Sequence, residues 1–206
     1  QIIVLAPDLF GIHISPTGRF AASFSYAIAQ QDSEWAPCEF AIEETEEWLW
    51  IRTNKLHCQI AKEHLAFSFF DPDGTLINAD AVGAGWDPES ERVMCWKHLP
   101  SDEHIYGLGE KTDALDKRGK AFDMWNTDPQ VYAPGDDPIY ANVPFYQGLI
   151  DGRAYGLFFD NSARSTFDFG CQNPELTRFE AECGEMRYYL MYGPGLASVL
   201  DRYTEL

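Results

Sequence analysis

Long apolar runs are absent from this sequence of 206 residues. No stretch approaches the roughly 20 apolar residues that a membrane-spanning helix needs. The opening residues, Gln1 to Leu5, also lack the basic segment that begins a secretory signal. We therefore expect neither a membrane span nor a signal peptide.

Basic residues are scarce, because 15 Lys and Arg stand against 33 Asp and Glu, a net charge of −18. Nucleic-acid binding depends on clustered cations that neutralise phosphates, and an anionic membrane surface makes the same demand. The composition predicts that neither is a partner. The negative charge favours solubility and by itself indicates no partner.

The cysteines and histidines are too few and too scattered to form a disulfide framework or a metal site. There is no C-x-x-C pair and no metal-ligand spacing among the histidines, so the sequence predicts no disulfide scaffold, no metal site and a reducing cytoplasmic location. The cysteines are Cys38, Cys58, Cys95, Cys171 and Cys183, an odd number.

Motifs for nucleotide binding and serine hydrolysis are also missing. Gly107 and Gly109 are followed by Thr112 where a dinucleotide fingerprint requires glycine, so they are predicted to let a strand bend or pack closely. Ser162 and Ser165 lie outside any G-x-S-x-G elbow.

What the sequence does contain is a series of short alternating segments. Apolar residues at every second position, separated by turn signals such as Asp71-Pro72-Asp73-Gly74, predict an all-β fold, an antiparallel β-sandwich or a barrel. Residues 78–92 break the alternation and are predicted to be a surface excursion, and the acidic set at 175–185 a solvated face. The predicted strands are Ser23–Ile28, Phe40–Ile42, Trp48–Trp50, Leu56–Ile60, Leu65–Phe69, Val93–Lys97, Tyr155–Phe159, Thr166–Phe169 and Met186–Tyr192.

The end of the sequence changes period. After Gly193-Pro194-Gly195, apolar residues at 196, 199, 200, 203 and 206 form a helical stripe. We predict a sandwich over residues 1–195 and, over 196–206, the start of a helix that continues in a longer protein.

A long polar and aromatic segment interrupts the strands between Tyr106 and Tyr155. A loop of this length is usually functional or disordered, and its rings argue against disorder. Carboxylates, amides and rings together are suited to sugars, with some rings packing the loop and others meeting the sugar. The rings are Trp125, Tyr132, Tyr140, Phe145 and Tyr146.

Asp128 is the polar residue in this loop that we expect to act as a ligand group, with an Asx-turn before Pro129 as the alternative. A pair of carboxylates formed by Asp128 with Asp136 or Asp137 is a further alternative. The distance between the two carboxylates of such a pair would have to match that of a retaining or of an inverting glycosidase. The sequence does not give this distance.

Several motifs in order resemble family 31 glycoside hydrolases, most of all the α-glucosidases, in the part that precedes the catalytic barrel. The resemblance covers most of the chain. The motifs are DPDGTLINAD at 71–80, YGLGEK at 106–111, LDKRG at 115–119, MWNTD at 124–128, DDPIYANVPFY at 136–146 and YGLFFDNSARSTFDFG at 155–170.

The resemblance implies a galactose-mutarotase-like β-sandwich supporting a (β/α)8 barrel in cis, and a retaining α-glucosidase without metal or cofactor. Both catalytic aspartates of the family lie on the barrel, so this chain is expected to contain no catalytic residue and to be inactive alone. It is expected to supply a loop at about 124–146 to the site for an α-glucoside oligosaccharide. Asp128, Thr127 and Asn126 match the family's substrate-binding positions.

Two other classes of function remain open. The chain could act as a stand-alone carbohydrate-binding module. It could also be an aldose-mutarotase-like enzyme, which requires a histidine acid and a carboxylate base in one pocket, and His104 and Glu110 are the nearest such pair.

Overall fold

The computed structural model describes residues 1–20 and 24–206. Within these described residues, fifteen strands form two antiparallel sheets, one of six strands and one of nine. The strands are β1 (Ile2–Ala6), β2 (Leu9–Ile14), β3 (Ala41–Glu44), β4 (Trp48–Arg52), β5 (His57–Ala61), β6 (Ala66–Phe70), β7 (Leu76–Trp86), β8 (Val93–His98), β9 (His104–Gly109), β10 (Ala121–Met124), β11 (Asn142–Ile150), β12 (Arg153–Phe159), β13 (Ser165–Phe169), β14 (Leu176–Ala181) and β15 (Met186–Gly193). A 3-10 helix, Asp32–Glu34, and one α-helix, α1 (Leu196–Glu205), complete the elements.

The strand orders bring distant parts of the chain together. The smaller sheet runs β1-β2-β15-β12-β11-β9, and the larger runs β10-β13-β14-β8-β7-β6-β5-β4-β3. β9, β10 and β11 are therefore edge or near-edge strands at the same end of the two sheets. The segments that connect them meet there.

The main core lies between the sheets. Side chains alternate along each strand, as in β14, where Thr177, Phe179 and Ala181 are buried. The rings of Phe167 and Phe179 stack with centroids 5.8 Å apart. Burial of such rings supplies most of the stabilising free energy of a sandwich.

One ion pair lies inside this core. Lys97 Nζ on β8 is 2.6 Å from Asp80 Oδ1 on β7, and both side chains are almost fully buried. Lys97 Nζ also donates to the hydroxyl of Tyr188, on the other sheet, at 3.3 Å. Removing one partner of a buried pair is costly, so the two charges require each other.

A second apolar cluster covers the outer face of the smaller sheet. Val199 of helix α1 and Leu206, which follows the helix, are buried in it. The ring of Tyr203 stacks on Phe145 of β11 at 3.9 Å between centroids. The predicted helix is present, and its predicted apolar stripe is buried in part: Val199 is fully buried and Leu196 and Tyr203 are half-buried, whereas Leu200 is exposed.

The β-sandwich prediction is confirmed, and the strands predicted between 40 and 70, at 93–97 and from 155 onward are present. The strand predicted at Ser23–Ile28 is wrong for the described residues 24–28, while Ser23 lies outside them. Ser25 Oγ accepts hydrogen bonds from the amides of Ala27 and Ile28, which favours a local turn over a ladder.

The predicted surface excursion at 78–92 is wrong over most of its length, because β7 extends to Trp86. Asn78 and Asp80 look like loop residues, but both are buried. Asp80 is stabilised by Lys97 and by the amide of Phe67, which donates to Asp80 Oδ2 at 2.9 Å. Only the tertiary partners make these polar residues compatible with a central strand.

The long loop is also shorter than predicted, because β10 and β11 lie within it. β11 carries Pro144 and Gly148, which hide its alternation. The solvated face predicted for the acidic set at 175–185 is present: Glu175 and Glu182 are exposed and Glu180 is half-buried, while β14 buries Phe179 at an alternate position. Irregular segments remain at 110–120, between β9 and β10, and at 125–141, between β10 and β11; we call the second one the 125–141 loop.

Candidate functional site

The 125–141 loop is held at both ends by Lys111, which follows β9. Lys111 Nζ donates to the carbonyl of Asp123 at 2.8 Å, to Asp137 Oδ1 at 2.5 Å and to Asn142 Oδ1 at 2.5 Å. These acceptors come from β10, the loop and β11. One ammonium group thus joins the strand before the loop, the loop and the strand after it.

This ammonium is buried, with 1% of the Lys111 side chain exposed. Burial lowers the pKa of Lys111, and the hydrogen bond and charge of Asp137 act in the opposite direction. Asp137 Oδ2 also accepts from the amide of Asp123 at 2.5 Å. The pair is therefore satisfied on both sides, as a buried ion pair requires.

Thr112 holds the middle of the loop. Its Oγ1 donates to the carbonyls of Ala133 and Asp136 at 3.2 and 2.9 Å. The amide of Gly135 donates to the carbonyl of Thr112 at 3.0 Å. The turn at 133–136 is thus fastened to the residue that follows Lys111.

The three residues predicted to bind substrate lie together near the start of the loop, and two of them are used by the loop itself. Asn126 Oδ1 accepts from the amide and from Nδ2 of Asn142, at 2.9 and 3.0 Å. Thr127 Oγ1 donates to the carbonyl of Pro138 at 2.8 Å. Asp128 is exposed and forms no hydrogen bond or ion pair with any residue that the structure describes.

Aromatic rings surround Asp128. Tyr140 and Tyr132 meet edge to face, 5.7 Å between centroids, and the Tyr140 hydroxyl donates to the carbonyl of Pro129 at 3.0 Å. Partial burial raises the pKa of Tyr140, and the charge of Asp128 contributes. Trp125 is about half exposed, whereas Tyr146 is fully buried in the core and only packs.

A groove of about 580 Å³ begins beside Trp125 and Asn126. It is lined by exposed Phe24 and Tyr26, by the start of β11 and by residues 158–163. Asp160, on its wall, accepts from Ser25 Oγ at 2.6 Å. The groove thus combines rings, amides and a carboxylate next to the 125–141 loop.

The alternative carboxylate pairs are not supported by the contacts. Asp137 is bonded to Lys111 and to the amide of Asp123. Asp136 Oδ2 accepts from the amide of Ala133 at 2.7 Å. Both carboxylates hold the loop in shape, and this is the role that their contacts show.

Of His104 and Glu110, the pair required for a mutarotase-like reaction, the first begins β9 and the second follows its last residue, Gly109. Six residues of strand span up to about 20 Å. His104 Nδ1 is 2.6 Å from Asp116 Oδ2, and the amide of Glu110 donates to the carbonyl of Ala141. The two side chains do not share a pocket.

Within 1–20 and 24–206, no group of three or more His, Cys, Asp or Glu side chains is placed to hold a metal ion. No helix of the described chain has the length and apolar character to cross a membrane. All five cysteines carry free thiols.

Sequence reasoning missed Lys111 and Asn142, although both lie in the quoted motifs. The only available signal was a lysine and an asparagine at the borders of an aromatic segment. Nothing in the sequence shows that Lys111 is buried or that its three acceptors converge.

Two packed antiparallel sheets with an anchored, ring-bearing loop define an antiparallel β-sandwich domain. The chain belongs to glycoside hydrolase family 31: residues 1–168 match the family model described as the Glycosyl hydrolase 31 N-terminal galactose mutarotase-like domain. The predicted resemblance and the galactose-mutarotase-like fold are thereby confirmed.

Relatives of known name agree with this assignment. The chain is 36% identical over 203 residues to Alpha-glucosidase 2 of Bacillus thermoamyloliquefaciens, covering 97% of this chain and 25% of that protein. It is 41% identical over 105 residues to Alpha-xylosidase XylQ of Lactiplantibacillus pentosus, covering 51% of this chain and 13% of that protein.

Among solved structures, a GH31 dextranase of Flavobacterium johnsoniae, in complex with isomaltotriose, is similar with a TM-score of 0.89 and 30% identity. The match covers 98% of this chain and 24% of the dextranase. The chain therefore spans about a quarter of the length of these full-length relatives.

Proposed function

We propose that this chain is the N-terminal domain of a retaining glycosidase of the α-glucosidase type. In this proposal residues 1–195 form the sandwich, and 196–206 begin the connection to a catalytic (β/α)8 barrel in cis. The whole enzyme acts on an α-glucoside oligosaccharide in the cytoplasm. The choice of an α-glucosidase activity is supported by coverage, because the match to Alpha-glucosidase 2 spans 97% of this chain and the match to Alpha-xylosidase XylQ spans 51%.

The observation that carries the proposal is Asp128, a carboxylate without a partner among the described residues, on a loop whose other carboxylates, Asp136 and Asp137, accept hydrogen bonds from the chain. Lys111 and Thr112 hold the loop. A surface carboxylate that only stabilised the loop would be bonded to it, as those of Asp136 and Asp137 are. Asp128 is available for a ligand.

The chemistry of a sugar fits this position. An ionised carboxylate accepts two hydroxyl hydrogens in charge-assisted hydrogen bonds, which are about twice as strong as neutral ones. Asn126 and Thr127 lie beside it and hold the local backbone. Trp125, half exposed on the same loop, offers a ring for the C–H face of the sugar.

The bond cleavage itself is assigned to the barrel. A retaining glycosidase uses two carboxylates about 5–5.5 Å apart, one as nucleophile and one as acid and base. This chain contributes binding and orientation, which lower the barrier by holding the substrate in a reactive geometry.

The experiment is substitution of Asp128→Ala in the full-length enzyme, with kinetics on an α-glucoside. We expect kcat/KM to fall roughly 10- to 100-fold, because one charge-assisted contact is worth about 1.5–3 kcal/mol. Asp73→Ala is the matched control, since Asp73 is another exposed aspartate next to a proline, in the β6–β7 turn.

Unchanged kcat/KM in Asp128→Ala would show that the loop only supports the barrel. An equal loss in Asp73→Ala would show that the effect is a general effect of surface charge. The thermal midpoint of both variants should match the wild type, because neither side chain holds the described structure together.

A further inference from the structure

We infer that Lys111 is a positioning residue for the sugar site, which sets the place of Asp128 through Asn142 and Asp137. The inference rests on the proposed function, because it assigns a role within the same site. Lys111 itself is buried and does not reach a ligand. Its effect on substrate passes through the 125–141 loop.

The contacts form a continuous path. Lys111 Nζ donates to Asn142 Oδ1, and the amide and Nδ2 of Asn142 donate to Asn126 Oδ1. Asn126 is two residues before Asp128. A displacement of Asn142 is therefore transmitted to the backbone that carries Asp128.

A second path reaches the other side of the loop. Asp137 is bonded to Lys111, and the next residue, Pro138, accepts from Thr127 Oγ1 through its carbonyl. The amide of Thr127 also donates to the carbonyl of Ile139 at 3.2 Å. Thr127, adjacent to Asp128, is thus held from the segment that Asp137 fixes.

Lysine suits this position because its ammonium group has three donors and meets three acceptors here. An apolar side chain of similar length would fill the same space without the cost of burying a charge. It would leave Asp137 and Asn142 without their partner. The buried charge therefore holds the loop in a single conformation. A loop that is already ordered before binding increases the affinity for a ligand.

The first test is a double-mutant cycle in the full-length enzyme, with Lys111→Met, Asp128→Ala and the double variant assayed on p-nitrophenyl α-glucoside. We expect Lys111→Met to lower kcat/KM about tenfold, mainly by raising KM. The double variant should be no worse than Asp128→Ala, since both changes remove the same contact.

Lys120→Met is the matched control. Lys120 is a neighbouring lysine that pairs with Asp113 on the surface, away from Asn142 and Asp137. It should leave kcat/KM within a factor of about two, as expected for an exposed ion pair. Independent losses that multiply in the Lys111 and Asp128 double variant would overturn the inference.

Asn142→Ala provides a second variant that leaves the buried charge pair in place. It should raise KM, as Lys111→Met does. The effects of Asn142→Ala and Asp128→Ala on kcat/KM should likewise be non-additive in the double variant. If Lys111→Met does not fold, this cycle decides the inference by the same criterion.

Hydrogen–deuterium exchange of the full-length variants separates the two proposals. Faster exchange confined to 125–141 in Lys111→Met, with no effect of Asp128→Ala on kcat/KM, would keep the loop anchor but overturn both the proposed function and the link to the sugar. Unchanged exchange in 125–141 would overturn the positioning role alone.

Discussion

At the scale of single residues, the buried acid Glu103 is the most sensitive to pH. It is 2% exposed and accepts a hydrogen bond from the Tyr155 hydroxyl at 2.5 Å. Burial raises the pKa of Glu103 to about 7, against an ordinary value of 4.5, while the Tyr155 bond acts in the opposite direction. Glu103 is therefore largely protonated at mildly acidic pH.

We predict that Glu103 makes the folded chain less stable as pH rises. Its pKa is higher in the folded than in the unfolded state, so its contribution is fully present below about 4.5 and declines until pH passes about 7. The unfolding free energy should fall on the order of 2 kcal/mol between pH 5 and pH 8 for this reason.

Denaturant unfolding of wild type and Glu103→Gln at the two pH values measures this effect. The difference between the two proteins should change by that amount, because the amide does not ionise. Glu46→Gln, at an exposed position, serves as the control and should follow the wild type. A parallel pH dependence of wild type and Glu103→Gln would contradict the prediction.

At the scale of elements, the junction of β9 with β11 determines where the loop begins and ends. Gly107 has φ +129, and a Cβ there would lie 2.5 Å from the carbonyl oxygen of Phe145. The register between β9 and β11 shifts between Asn142 and Tyr146, next to this close approach. Glycine allows the bend that brings Lys111 toward Asn142.

We predict that Gly107→Ala destabilises the chain by roughly 2–3 kcal/mol, because a rigid backbone atom blocks the Cβ and the positive φ is strained. Gly152→Ala is the control: Gly152 has φ +76 in the β11–β12 turn but open space around its Cβ. It should lose about 1 kcal/mol or less. Equal losses of unfolding free energy in the two variants, measured by denaturant unfolding, would show that the positive φ and not the steric clash of the Cβ determines the destabilisation.

The elements that sequence reasoning found and missed differ in one respect. Strands with plain alternation, such as β5 and β6, were predicted because one face is apolar. β7 was missed because its buried Asp80 is polar, and β11 because Pro144 and Gly148 interrupt it. Their burial depends on partners from other strands, which no local pattern contains.

At the scale of the whole molecule, the sandwich places the loop, and the proposed function assigns the two reacting carboxylates to the barrel. We predict that the 206-residue chain alone does not hydrolyse a chromogenic α-glucoside, whereas the full-length enzyme does. Side-by-side assays at equal molar concentration measure this. Hydrolysis by the chain alone would assign the chemistry to these residues and contradict the proposed function.

A sugar-binding measurement on the same material addresses the module alternative. Isomaltotriose affinity of the isolated chain equal to that of the full-length enzyme would favour a stand-alone binding role. The proposed function predicts weaker binding, because Asp128 then provides only one side of the site.

The sequence by itself determined the fold class, the family and the approximate position of the loop, because these depend on periodicity, turn residues and ordered motifs. It also marked Asp128, whose role as a substrate ligand stays a prediction. Only the tertiary structure decided which polar residues are structural: Lys111, Asp137 and Asn142 form one network although they are separated along the chain. The physical reason is that burial and hydrogen-bond partners arise from strand pairing across the whole chain. The local sequence around a charged side chain is therefore the same whether that side chain is exposed to water or paired with another charge.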